Sequence, residues 1–135
     1  MGYRSEVVCA FVFKDELVRD AFHTTAMNRF CDDSVPDWDI RDKEWFTSAF
    51  TTDERHHNYV LMMKFDEVKW YPDNEIPKFV ENEMMPECVE RGGAYSFIRL
   101  GEETEDIVES SDHHDSFDDF DADDYVRVAR YIEIP

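Results

Sequence analysis

Residues 102–124 read EETEDIVESSDHHDSFDDFDADD, and whether they form a tail or a bridge decides the fold. They hold 12 carboxylates in 23 residues, namely Glu102, Glu103, Glu105, Asp106, Glu109, Asp112, Asp115, Asp118, Asp119, Asp121, Asp123 and Asp124, and no Lys or Arg. Of a net charge of −19 they therefore supply −12. Strand-like runs flank them, residues 94–100 before and 125–134 after, so the stretch reads as an acidic connection between the last two strands, held by a sheet. A connection longer than about 15 residues inside a compact domain is usually functional or disordered.

Length and composition bound the rest. A chain of 135 residues fits one domain, residues 1–135, and buries roughly two thirds of its unfolded surface without metals or disulfides. Apolar residues at 42%, with 11 Phe, 6 Tyr and 3 Trp, supply a core that acidic disordered chains lack. Cys9, Cys31 and Cys88 are an odd number without a CxxC pair or a preceding signal peptide, which points to reduced thiols in a cytosol. No apolar run approaches the ~20 residues of a membrane span. The net charge repels phosphate backbones and anionic membranes, so the expected partners are basic proteins, with no direct nucleic acid and no membrane.

Working outward from the acidic stretch, residues 3–13 alternate as a central strand, with apolar side chains on both faces. From Asp15 the period changes, and Val18, Phe22, Ala26 and Phe30 mark one face of a helix of about four turns. Residues 31–43, with Pro36 and five aspartates, read as a loop. Residues 44–52 are ambiguous: Trp45, Phe46, Ala49 and Phe50 fit a short helix, but the Trp, Phe and Thr content favours a strand, with residues 53–57 a turn and residues 58–65 the returning strand. Asp66-Glu67 breaks that run. A second helix opens at Asp73 as cap, buries Ile76, Phe79, Val80, Met84 and Cys88, bends at Pro86 and ends at Gly92-Gly93. The expected fold is α+β: a mainly antiparallel sheet of about five strands with two helices, a ferredoxin-like βαββαβ unit plus an extra C-terminal strand.

Several chemistries compete for these residues. Extended, the acidic stretch spans about 75 Å and places roughly one carboxylate per 6 Å. Folding it back approaches the density of one phosphate per ~3.4 Å of a DNA strand. Phe117, Phe120 and Tyr125 among the acids read as apolar anchors, which a merely solvated charge run does not need. A solubilising, partly disordered loop is the bland alternative. The aspartates at 118, 119, 121, 123 and 124 superficially resemble a calcium loop but lack its central Gly and terminal Glu, leaving at most weak Mg²⁺ or Ca²⁺ binding. His56-His57 and His113-His114 lack zinc spacing and read as turn residues. Cys9 and Cys88 lie on apolar faces, as packing cysteines do. With no GxSxG, no Cys/His signature and only 4 glycines, no catalytic residue, cofactor or metal site is expected.

Three short runs, Met1-Gly2-Tyr3-Arg4-Ser5, Val68-Lys69-Trp70-Tyr71 and Ala94-Tyr95-Ser96-Phe97-Ile98-Arg99-Leu100-Gly101-Glu102, resemble a family of small acidic proteins encoded by tailed bacteriophages. The resemblance implies a protein made in the host bacterial cytoplasm, and it carries over no catalytic residue. Phages use small acidic proteins to occupy the DNA-binding sites of host restriction, repair, recombination, transcription and CRISPR machinery, and this chain is similar to them in size and charge. The expectation is therefore a non-enzymatic inhibitor, monomer or homodimer, that imitates a nucleic-acid backbone. It displays residues 102–124 to a basic host protein, with the five clustered aspartates densest. The alternative is an aromatic interface anchored by Trp38, Trp45 or Trp70, with charge used only for solubility.

Overall fold

Apolar residues on both faces of one strand place it at the centre of a sheet, and β1 (Ser5–Val12) sits there, buried at every position except Glu6. The computed structural model describes residues 5–30, 40–51, 59–71, 73–103, 106–117, 127–128 and 132–133, with backbone alone at 40–42, 127–128 and 132–133. β1 is followed by α1 (Glu16–Phe30), α2 (Ile40–Ala49), β2 (Phe50–Thr51) and β3 (Val60–Val68). A helix over residues 75–90 (α3), β4 (Ala94–Gly101) and β5 (Ile107–His113) come next. The main sheet is five-stranded and antiparallel, in the order β2-β3-β1-β4-β5. Among the described residues, two-residue strands β6 (Arg127–Val128) and β7 (Ile132–Glu133) pair with each other in a second, two-stranded sheet.

Alternation divides the core between the two faces. Val7, Cys9, Phe11 and Phe13 join Leu61, Met63, Phe65 and Phe97 on the face that receives Phe22, Ala26, Phe30, Phe46 and Phe79 from the helices. Val8, Ala10, Met62 and Ile98 form a smaller buried cluster on the other face. Asp15 starts α1 by accepting a hydrogen bond from Val18 N at 2.9 Å.

Several expectations need correction. Residues 44–49 are helix, not strand, because Phe46, Ala49 and Phe50 recur at helical spacing. Burying Phe46 against Phe30 (centroids 4.1 Å) outweighs the β-propensity of its neighbours. The described helices therefore number three, not two. The run at Asp66-Glu67 does not end β3. It is a bulge, where the β1 register shifts between Ser5↔Val68 and Val7↔Phe65 and Glu67 adopts φ 53°. The fifth strand of the sheet is β5, from within the acidic stretch; of the strand expected over 125–134, β6 and β7 belong to a second sheet and the remaining residues lie outside the described ones.

α3 buries Ile76, Phe79, Val80, Met84 and Cys88, the face that its spacing marks. Its cap is Asn74, whose amide donates to Lys69 O at 2.9 Å, and not Asp73. A π turn, Val80–Met84, precedes Pro86. Proline has no N–H and its ring crowds the carbonyl four residues back, at Asn82, so a widened turn there is the local answer. Gly93 N donates to Cys88 O at 2.9 Å and Gly92 N to Val89 O at 3.0 Å, ending the helix with Gly92 at φ 86°. A Cβ on Gly93 would lie 2.7 Å from Val12 O, so the chain enters β4 against β1 only because this residue is glycine.

Candidate acidic interface

The acidic stretch begins as a hairpin. β4 runs into β5 through residues 102–105, closed by Gly101 N donating to Asp106 O at 2.8 Å. Arg99 on β4 clamps the same turn, with its two terminal nitrogens 2.9 and 3.1 Å from the Asp106 carboxylate and one of them 3.3 Å from Ser5 Oγ. Asp106 is thus a fastening and not part of a displayed surface. This arginine is therefore spent on holding a local carboxylate.

β5 then carries Ile107, Val108, Glu109, Ser110, Ser111, Asp112 and His113, all exposed, with Ile107 and Val108 each 40% exposed. Cross-strand pairs share a face of the sheet. Glu109 lies opposite Ile98 and Ile107 opposite Leu100, on the face of the smaller cluster. Asp112 lies opposite Tyr95 and Val108 opposite Arg99, on the helical side. Beyond β5 the chain is pinned just before the start of β4 and just past the end of β1: His114 N donates to Gly93 O at 3.0 Å, Lys14 Nζ donates to Ser116 O at 2.7 Å, and Lys14 Nζ sits 6.0 Å from the Phe117 ring centroid. His114 Nδ1 lies 2.8 Å from Ser116 Oγ and His113 Nδ1 3.0 Å from His114 O, so this pair of histidines is engaged with its own turn.

Of the candidate surface, Glu102, Glu103, Glu109, Asp112 and Asp115 are exposed. Phe117 is half-buried, held against Lys14 and not extended as a free anchor. Glu105, Asp118, Asp119, Phe120, Asp121, Asp123, Asp124 and Tyr125 lie outside the described residues, as do Trp38 and His56-His57. Trp70 is buried at 8% exposure between Phe65 (centroids 5.3 Å) and Phe97 (5.9 Å), which corrects its assignment as an exposed anchor. Trp45 is 38% exposed, beside a cavity of about 390 Å³ lined by Lys69, Asp73, Ile76 and Pro77 among others. The outer face of α3 is only partly free to display charge, because Glu83 and Glu87 are taken by Arg29, and Glu75 by Lys78 at 3.4 Å.

One acidic grouping has no signature in the sequence. Glu6 on β1, Asp66 and Glu67 on β3 and Glu102 in the hairpin turn line a cavity of about 420 Å³ with Ser5, Leu100 and Gly101. Burial first and then the nearby Asp66 push the Glu6 carboxyl above the ordinary carboxylate range, against an opposing pull from Lys64. Among the described residues no group of three or more His, Cys, Asp or Glu is placed to hold a metal ion. Burial pushes the thiols of Cys9 and Cys88 up from their ordinary values, and Cys88 Sγ donates to Ala94 O at 3.3 Å. Both are packing residues with little thiolate.

Among the described residues no helix is long and apolar enough to cross a membrane. Comparison with protein-family models, with curated proteins and with solved structures finds no match to this chain.

Proposed function

We propose that this protein is a non-catalytic inhibitor, phage-encoded and made in the host bacterial cytoplasm. On this reading it binds a basic, nucleic-acid-recognising host protein and sets carboxylates where phosphates would sit. The observation that carries the reading is β5: the acidic stretch enters the sheet in full register with β4, yet all seven of its residues remain exposed. Charge carried on a strand is pre-organised, so a partner does not spend ordering entropy to meet it. Glu109 and Asp112 stand about 10 Å apart along the strand. Glu102 and Glu103 precede β5 and Asp115 follows it. A groove built for phosphate binds such a surface with the same release of counterions.

The test is retention of host proteins on the immobilised chain from bacterial lysate. Retention should fall on the order of tenfold or more between about 50 and 200 mM salt, and duplex DNA should elute the retained protein. A variant combining Glu102→Gln, Glu103→Gln, Glu109→Gln, Asp112→Asn and Asp115→Asn should keep its circular dichroism and lose retention. Equal retention by that variant rejects mimicry.

A second reading, an ordinary shape-complementary interface with charge used for solubility, draws support from exposed Trp45 beside its cavity. It predicts salt-insensitive retention that Trp45→Ala abolishes. As for the fold, the order β2-β3-β1-β4, antiparallel throughout, has helices between β1 and β2 and between β3 and β4. That supports a ferredoxin-like unit to which α2 and β5 are additions.

A further inference from the structure

Two hydrogen bonds set the phase of the β4–β5 ladder. Gly101 N donates to Asp106 O at one end and His114 N to Gly93 O at the other, on a register that runs from Leu100↔Ile107 to Ala94↔His113 without a shift. Bonded and non-bonded pairs alternate in an antiparallel ladder. Val108, Ser110 and Asp112 therefore turn their N–H and C=O groups toward β4, while Ile107, Glu109 and Ser111 turn theirs outward, where the sheet order ends. Among the described residues nothing bonds to those outward groups. At the far end the His113 N–H is taken by the Asp112 carboxylate at 2.8 Å, which closes the open ladder there.

Exposed edges invite pairing with other chains, and proteins blunt them with charged side chains, Lys above all, with Pro, a bulge or a covering segment. β5 has no Lys, no Pro and no bulge. Its formally charged residues are Glu109 and Asp112, on opposite faces, beside the exposed Ile107 and Val108. A second copy of a chain with net charge −19 is repelled from this edge, whereas a cationic strand is attracted to it.

We infer that β5 is a docking edge onto which a partner adds an extended basic segment as a sixth strand, backbone to backbone. This goes beyond phosphate mimicry, which needs only displayed charge, because strand addition needs the outward backbone groups of Ile107, Glu109 and Ser111. For an antiparallel partner, the six residues opposite Asp112 through Ile107 read basic, polar, polar, basic, apolar, apolar. Cations meet Asp112 and Glu109, and β-branched side chains meet Val108 and Ile107. The second, fourth and sixth partner residues lie opposite Ser111, Glu109 and Ile107 and point their N–H groups at β5.

The probe is the peptide acetyl-Lys-Thr-Thr-Lys-Val-Val-amide, titrated into the ¹⁵N-labelled full chain. It should shift the amide resonances of Ile107, Glu109 and Ser111 and slow their hydrogen exchange. N-methylation of its second and fourth residues should weaken binding about tenfold or more, while N-methylation of the third and fifth should change it less than about threefold. Glu109→Gln with Asp112→Asn should also weaken it. Equal weakening by the two methylation patterns, or no binding at millimolar peptide, overturns the inference. So does protection of the same amides that grows with protein concentration alone, since a second copy would then be the occupant. Duplex DNA that fails to elute the retained host protein while the methylation phase holds refutes mimicry and leaves the edge standing. DNA that elutes it while both patterns act alike refutes the edge alone.

Discussion

β1 and β5 flank the same strand, β4, and both pair with it antiparallel through seven or more residues, yet one is buried almost throughout and the other is exposed throughout. β1 is held by what its side chains touch on two faces. β5 is held by its backbone ladder, by the Arg99–Asp106 clamp at its start and by Lys14 past its end. The contrast separates two uses of a strand: backbone pairing and fastenings at its ends position β5, while burial makes β1 indispensable. Regions with few buried apolar contacts open at lower free-energy cost than the core, so the two strands should differ in stability within one sheet.

The largest effect that tests the contrast is loss of a ring. Phe11 on β1 is fully buried, with its centroid 5.2 Å from that of Phe22. Phe11→Ala should cost about 3–5 kcal/mol in urea unfolding, whereas Val108→Ala on β5 should stay within about 0.5 kcal/mol. Similar losses at the two sites would show that β5 is part of the core and break the comparison.

A smaller effect sharpens it. Arg99→Ala removes the hydrogen bonds to Asp106 and Ser5 from a partly exposed site, so the expected loss is about 1–2 kcal/mol, between a surface ion pair and a buried charged hydrogen bond. The loss should be local. Hydrogen exchange at Val108 and Ser110, whose amides face β4, should quicken more than at Cys9 and Phe11. Uniform quickening would mean that the clamp supports the sheet as a whole.

The same contrast explains what could be read in advance. β1 and α3 were legible because burial writes a period into the chain: alternation through Val7, Val8, Cys9, Ala10 and Phe11, and helical spacing through Ile76, Phe79, Val80, Met84 and Cys88, closed by Gly92-Gly93. β5 leaves no such period, since solvent meets both its faces and Glu, Ser and Asp are poor strand formers. Ile107-Val108, with Gly101 before and Asp115-Ser116 after, was the only hint. In α2, aromatic content argued for a strand while the spacing of Phe46, Ala49 and Phe50 argued for a helix, and tertiary packing decided. The site was legible as a density of charge. Which carboxylates are displayed and which are spent on structure was not, because Arg99 with Asp106 and Arg29 with Glu83 and Glu87 are tertiary pairings that spacing alone does not reveal. Trp70 misled for a similar reason, since its surroundings come from β3 and β4.

The smallest expected effect lies at Glu6, the one position of β1 that is not buried, where the strand meets the acidic hairpin turn. Burial and Asp66 raise its carboxyl pKa above that of the unfolded chain, so the folded state holds this proton more tightly. Folding is then favoured at low pH, and that contribution is lost as pH rises through the raised value, leaving a penalty at neutrality. Glu6→Gln removes the charge and should raise Tm at pH 7, with the gain shrinking to nothing below the ordinary carboxylate range of about pH 4. Because the site is largely open to solvent, the shift should be small, and Tm measured from pH 4 to pH 8 is the observable. If Glu6→Gln lowers Tm at pH 7, attraction to Lys64 outweighs burial and Asp66 there. The start of β1 would then favour the charge, and the contrast with β5 would hold only from Val7 onward.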